Sequence, residues 1–204
     1  MKELPNVTLI AYDNSAQPDR TIKVLHECAS LIQFGAVVFV LREMPSSCVV
    51  NGTVHFAPEI GYAAAMQFEV TEIHKYVPTD FALFVSHDGT ILNEDAWRDE
   101  WLCFDYIGAP WPKWLCDRFP DFRVGNSGFC LKSRAFMRNC AELGGAFNPN
   151  TPGDVFTSQT IRPQLESRGM KYAPLEVAAD FSWELNIEEF PNGRPDAFGH
   201  HTPK

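Results

Sequence analysis

The order of apolar and polar residues in the first forty positions constrains this chain more than any other feature. Val7 to Tyr12 is an apolar run of strand length. The polar stretch Asp13 to Asp19 follows and leads through Pro18, a favourable first-turn residue, into a segment where Ile22, Leu25, Ala29 and Ile32 recur at helical spacing. Gly35 is placed to end that helix, and Ala36 to Leu41 is a second valine-rich strand. Strand, helix, strand with short connections predicts a parallel βαβ unit, the usual opening of a doubly wound α/β sheet.

The rest of the chain continues in the same idiom. After a looser stretch with Pro45, Asn51, Gly52 and Pro58, the positions Met66, Val70, Ile73 and Val77 mark a helix that Pro78 stops. Phe81 to Val85 is a third buried strand and runs directly into Ser86, His87, Asp88 and Gly89. These polar residues therefore stand at the carboxyl end of a strand, the edge where open α/β sheets bind ligands. Asn93 is placed to cap a short helix with Trp97 and Trp101, Asp105 to Ala109 reads as a short strand, and Trp111 to Phe122 as a loop. Val124 to Leu131 leads from a Gly-rich turn into a strand, and Ser133 caps a helix from Arg134 to about Leu143. Gly153 and Asp154 open a further helical stretch that Pro163 interrupts and Gly169 closes, and Val177 to Phe181 reads as a last strand before a Pro/Gly-rich tail.

A chain of 204 residues, 45% hydrophobic and 21% charged, buries its core as one domain, and a single domain over residues 1–204 is expected. The longest apolar runs are strand-sized, and no leader or membrane span is read from the sequence. Six cysteines without a Cys-x-x-Cys pair point to reduced thiols and a cytoplasmic setting rather than a zinc knuckle. The net charge of −9 disfavours a protein whose affinity comes from coating nucleic-acid phosphates. The charge is uneven, however. Lys113, Arg118, Arg123, Lys132, Arg134 and Arg138 cluster between Trp111 and Arg138, which suits a diphosphate or phosphodiester ligand as well as it suits a solvated basic face.

Four features could carry chemistry. Asp88, at a strand end before Gly89, offers the open carboxylate that Mg²⁺ or Mn²⁺ needs while keeping sites for phosphate oxygens, although Asp-Gly also makes ordinary turns. His200 lies in a glycine-flanked tail with no periodicity to bury it, which suits either a metal ligand or a solvated side chain. Gly125, Asn126, Ser127 and Gly128 allow close backbone approach to a ligand with an amide and a hydroxyl at hand, or simply a tight turn. Asp154, at a helix start, is either a cap or a rigidly held general base. No Gly-x-Ser-x-Gly elbow, His-Glu-x-x-His pair, P-loop or dinucleotide fingerprint is present.

Taken in order, Phe81 to Gly89 (FALFVSHDG), Tyr106 to Trp111 (YIGAPW), Val124 to Arg134 (VGNSGFCLKSR), Gly153 to Phe156 (GDVF) and Phe198 to His200 (FGH) resemble a family of bacterial and phage glycosyltransferase-like domains. That family, labelled as of unknown function, is similar in turn to the GT-A superfamily of nucleotide-sugar transferases. The resemblance implies a single-domain, Rossmann-like GT-A fold with a mostly parallel sheet flanked by helices. It implies a Mn²⁺ or Mg²⁺ ion held by Asp88 and His200 against the diphosphate of a donor such as a UDP-sugar. The usual Asp-x-Asp motif reads Ser86-His87-Asp88 here, with its last carboxylate alone present.

By the same resemblance Tyr12, Asp13, Asn14, Ser86 and His87 contact the donor. Trp111 and the Gly125, Asn126, Ser127, Gly128 segment face the sugar or acceptor, and Asp154 matches the base of inverting relatives. The acceptor implied is a hydroxyl on a glycan or glycolipid, or on a hydroxymethylated base of phage DNA. The competing reading, which the incomplete Asp-x-Asp motif favours, is a non-catalytic nucleotide-sugar or glycan binding module.

Overall fold

A computed structural model describes residues 1–44 and 49–201, so Pro45 and Cys48 lie outside the described residues. The chain opens with β1 (Lys2–Asp13), α1 (Asp19–Leu31), β2 (Ile32–Leu41) and β3 (Thr53–Phe56). α2 (Tyr62–Thr71), a 3₁₀ turn at Ile73–Tyr76 and β4 (Phe81–Val85) follow. β5 (Gly89–Ile91), β6 (Tyr106–Ile107), β7 (Ala109–Pro110), β8 (Val124–Gly125) and β9 (Phe129–Ser133) lead to α3 (Arg134–Leu143). The chain closes with α4 (Gly153–Val155), α5 (Arg162–Ser167), α6 (Leu175–Phe181), β10 (Ser182–Trp183) and β11 (Gly199–His201).

The central sheet has six strands in the order β3-β2-β1-β4-β9-β6. β3, β2, β1 and β4 run parallel, and β9 runs against both β4 and β6. Val7, Leu9, Ile10 and Ala11 of β1 are fully buried, as are Ala82 and Leu83 of β4, because helices cover both faces of a sheet of this kind. The three strands expected at Val7, Ala36 and Phe81 are thus neighbours or near neighbours in one parallel sheet. Their carboxyl ends bring Asp13 and Asp88 to the same edge, where both line one cleft.

Two local readings are corrected. Gly35 does not end α1; the helix passes directly into β2, and Gly35 lies inside that strand. There a Cβ would stand 2.0 Å from the Pro5 carbonyl oxygen, so glycine accommodates the irregular register between Leu4 and Thr8. Val177 to Phe181 is helical rather than extended, because Pro174 precedes the first turn, Ala178 and Ala179 are good helix formers, and Ala178 and Phe181 share one buried face. Pro163 interrupts its helix as expected. The turn before it is wide, with the Ile161 N–H donating to the Phe156 carbonyl, and the proline stands in the first turn of α5.

A second sheet, β10-β11-β5, fixes the end of the described chain beside the first. β11 pairs antiparallel with β5, placing His201 opposite Gly89 and His200 opposite Thr90. Trp97, Trp101, Phe129, Phe181 and Phe198 hold this arrangement, with ring centroids 5.2 to 5.8 Å apart. Each such ring, once buried, contributes about 1.5–3 kcal/mol. Ser133 caps α3 by accepting from the Phe136 N–H at 3.0 Å. The five described cysteines are free thiols, and none of the described helices is long and apolar enough to cross a membrane.

Candidate active site

A cleft of about 840 Å³ opens at the carboxyl edge of β1 and β4. The β1 side is built by Tyr12, Asp13 and Asn14. Asp13 organises its own loop: Oδ1 accepts from the Ser15 N–H at 2.8 Å and Oδ2 from the Thr21 hydroxyl at 2.5 Å. Asn14 donates through Nδ2 to the Ile60 carbonyl and ties the β1 loop to the approach to α2. Tyr12 stacks on Phe68, and its buried hydroxyl has no hydrogen-bonding partner among the described residues. Arg20, on the first turn of α1, is the one lysine or arginine among the described lining residues.

The opposite side centres on Asp88. Ser86 donates to Asp88 Oδ1 at 2.6 Å, His87 Nε2 lies 3.3 Å from Oδ2, and His201 Nε2 lies 3.3 Å from Oδ1. Burial works against ionisation of Asp88, but the Ser86 hydroxyl and the fields of His201 and His87 outweigh it and hold the carboxyl below its usual value. Behind His201, Nδ1 lies 3.2 Å from Glu184 Oε1. Burial disfavours a charged His201, yet the hydrogen bond and charge of Glu184, with Asp88, raise its pKa. The imidazole packs against Gly128, where a Cβ would come within 2.3 Å of its Nε2, so only glycine permits this placement.

Of the two adjacent histidines of β11, His201, rather than the expected His200, therefore lines the cleft with Asp88. Successive side chains of β11 point to opposite faces, and His200 sits in register with Thr90 and Trp183. Burial, with the neighbouring His201, lowers its pKa.

The Gly-rich segment divides in the same way. Ser127 and Gly128 line the cleft, whereas Gly125 and Asn126 are buried beside it. Asn126 is 1% exposed with φ 100°, and its Oδ1 accepts from the Gly128 and Phe129 N–H groups, so it shapes the turn. Trp111 is 2% exposed; its indole packs on Gly125 and its Nε1 donates to Glu184 Oε2 at 3.0 Å. It braces the site instead of offering a face to a sugar. The basic segment is partly engaged in ion pairs, Arg123 and Lys113 with Glu189 and Lys132 with Glu69.

Asp154, the second residue of α4, accepts from the Val155 N–H at 2.8 Å and is not among the residues that line the cleft. Burial pushes its carboxyl up to about 6, opposed by that hydrogen bond and reinforced by Glu184 and Glu69. Glu69, Glu184, His201 and Arg20 were not singled out in the sequence. Glu184 and His201 carried no motif, because their meeting depends on the pairing of β10, β11 and β5. Glu69 stands one position before Val70 of the helical pattern, and that spacing alone could have drawn attention to it.

A divalent cation fits part of this donor set. Asp88 Oδ1 and His201 Nε2 are adjacent, and a carboxylate behind the other ring nitrogen is the usual support of a metal-binding histidine. Among the described residues no group of three or more His, Cys, Asp or Glu is arranged to hold a metal ion, so the remaining ligands would come from water and a bound phosphate group.

Residues 67–201 match the family described as Protein of unknown function (DUF5672). No curated protein matches the chain in sequence. The fold is similar to that of a glycosyltransferase involved in the glycosylation of the major capsid of PBCV-1, with a TM-score of 0.57 and 11% identity over 96% of this chain and 91% of that one. It is also similar to the galactosyltransferase LgtC in complex with donor and acceptor sugar analogs, with a TM-score of 0.50 and 11% identity over 97% of this chain and 87% of that one. These likenesses establish a GT-A-like α/β fold.

Proposed function

The chain is a member of the DUF5672 family, and on that footing we propose that it is a metal-dependent, inverting glycosyltransferase that uses a nucleoside diphosphate sugar, UDP-linked by first choice. The observation that carries the proposal is the Glu184–His201–Asp88 chain at the carboxyl edge of the sheet, opening on a cleft large enough for a nucleotide sugar. In this reading the β1 loop receives the nucleoside, with the Tyr12 hydroxyl and the Asp13 carboxylate as hydrogen-bonding groups. Arg20 faces the diphosphate from the end of α1.

Asp88 and His201 would hold Mn²⁺ or Mg²⁺, with imidazole favouring Mn²⁺ of the two. When bound, the ion offsets the negative charge gathered by the leaving nucleoside diphosphate. Ser86 fixes Asp88 by donating to Oδ1, and Glu184 fixes the ring of His201 through Nδ1, so neither has to be ordered when the donor arrives. Asp154 takes the proton of the acceptor hydroxyl. Its carboxyl, raised toward neutrality, suits a base that must both accept and release a proton near pH 7.

For the acceptor we favour a glycan or glycolipid hydroxyl. Modified DNA is the weaker choice, since the basic segment that would meet a phosphate backbone is partly engaged in ion pairs with Glu69, Glu188 and Glu189. The test is slow hydrolysis of a panel of UDP-sugars. A transferase releases UDP from at least one donor when Mn²⁺ is present and stops when it is chelated; nucleotide-sugar binding without release from any donor would identify a binding module and overturn the reading.

A further inference from the structure

Glu69, on α2, lines the cleft beside Ala65 and Met66. Its Oε1 lies 3.2 Å from Nζ of Lys132 on β9, with the two side chains 13% and 8% exposed. The ammonium group also sits 4.2 Å from the centre of the Phe84 ring, itself part of the cleft. Taking two charges out of water costs several kcal/mol per ion, and their attraction seldom returns more than that, so such a pair is a weak stabilising device. What it does is hold one carboxylate in a fixed position on a ligand-facing wall. Among the described residues Lys132 is the hydrogen-bonding partner of the Glu69 side chain through Oε1, which leaves Oε2 for a ligand.

The place of Glu69 in the cleft follows from its helix. The start of α4 abuts α2: a Cβ on Gly153 would lie 3.8 Å from the Met66 carbonyl oxygen and 3.8 Å from Cγ2 of Val70. Asp154, the next residue, therefore stands against the turn of α2 that carries Glu69. If Asp88 and His201 take the diphosphate and the acceptor approaches from the side of Asp154, the transferred sugar meets the wall of the cleft that Glu69 lines. A fixed carboxylate accepts strongly from sugar hydroxyls and repels a sugar that carries its own carboxylate. Lys132 stands behind Glu69, buried, and Asp154 and Glu184 add further carboxylates nearby.

We infer that Glu69, positioned by Lys132, is a specificity-determining residue for the donor sugar, selecting an uncharged hexosyl group over a hexuronyl group. The inference rests on the transferase reading, and the experiment separates the two. Binding of UDP, UDP-glucose, UDP-galactose and UDP-glucuronate to the full chain is measured by calorimetry in the presence of Mn²⁺. Wild type is expected to bind one of the neutral UDP-hexoses roughly tenfold or more tighter than UDP-glucuronate, the scale of one charge-assisted contact. In Glu69→Gln the ratio falls toward one while UDP itself binds within about twofold of wild type.

Because Glu69→Gln leaves a buried ammonium unpaired, the double variant Glu69→Gln/Lys132→Met, which removes both charges at similar volume, is measured in parallel. A folded variant of either kind that keeps the wild-type preference overturns the inference, as does a wild type that binds UDP but does not distinguish the two sugar classes. A wild type that binds no UDP overturns the UDP-sugar reading on which the inference rests, and the inference falls with it.

Discussion

At the scale of single residues the chemistry turns on how burial tunes Asp154. Its carboxyl is raised from 3.8 to about 6, with burial as the largest cause. The folded state thus disfavours the ionised form, so this group's contribution to stability is complete below about 3.8 and is lost as pH rises through about 6. Catalysis needs the opposite form. With Asp154 as base, the transfer rate should rise with pH through about 6 and level off above it. Asp154→Asn should stay folded, keep donor affinity and lose transfer by about 10²–10⁴-fold. Near wild-type turnover in that variant, read with the same donor and acceptor, would leave Asp154 only its local bond to the Val155 N–H.

Residue identity was only partly legible in the sequence at this scale. Asp88 could be located because a strand-end Asp-Gly marks itself, whereas the choice between His200 and His201 depends on a strand register that shifts every side chain to the other face when it slips by one. Trp111 was expected to face the sugar or acceptor, and its place as a buried brace was not readable. Its partner Glu184 lies 73 residues away in sequence, and no local signal joins the two.

At the scale of elements, the site depends on pinning β11 beside β5. Phe198, fully buried among Trp97, Trp101, Phe129 and Phe181, immediately precedes β11, and its carbonyl accepts from the Leu92 N–H at 2.8 Å. Phe198→Ala is expected to lower stability by about 3–5 kcal/mol, the usual loss for a buried phenylalanine. Denaturant unfolding would measure it, and a loss below about 1 kcal/mol would show that the aromatic cluster does not anchor the tail. The opening βαβ unit was readable because its apolar runs are long and its periods distinct. α6 was not, since seven residues with a mixed apolar pattern satisfy a strand as well as a helix until Pro174 and the packing of Ala178 and Phe181 decide.

At the scale of the whole molecule, one sheet edge gathers Asp13 from β1, Asp88 from the end of β4, Ser127 and Gly128 before β9, and His201 from β11 around one cleft. The sheet class, and with it the edge that carries the cleft, followed from the order of strands and helices; the closing of that edge by β10 and β11 is a long-range pairing that no window of sequence contains. In the proposed function Asp88 and His201 together form a cation-dependent site for a nucleoside diphosphate. Calorimetry of UDP binding, with Mn²⁺ and with Mn²⁺ chelated, tests it most directly in wild type, Asp88→Asn and His201→Ala. Wild type should bind UDP in a Mn²⁺-dependent manner, Asp88→Asn should lose that dependence entirely, and His201→Ala should weaken it by roughly 10–100-fold, the scale expected when a metal ligand or its support is removed. Unchanged Mn²⁺-dependent UDP binding in both variants would contradict the account and place the diphosphate site elsewhere.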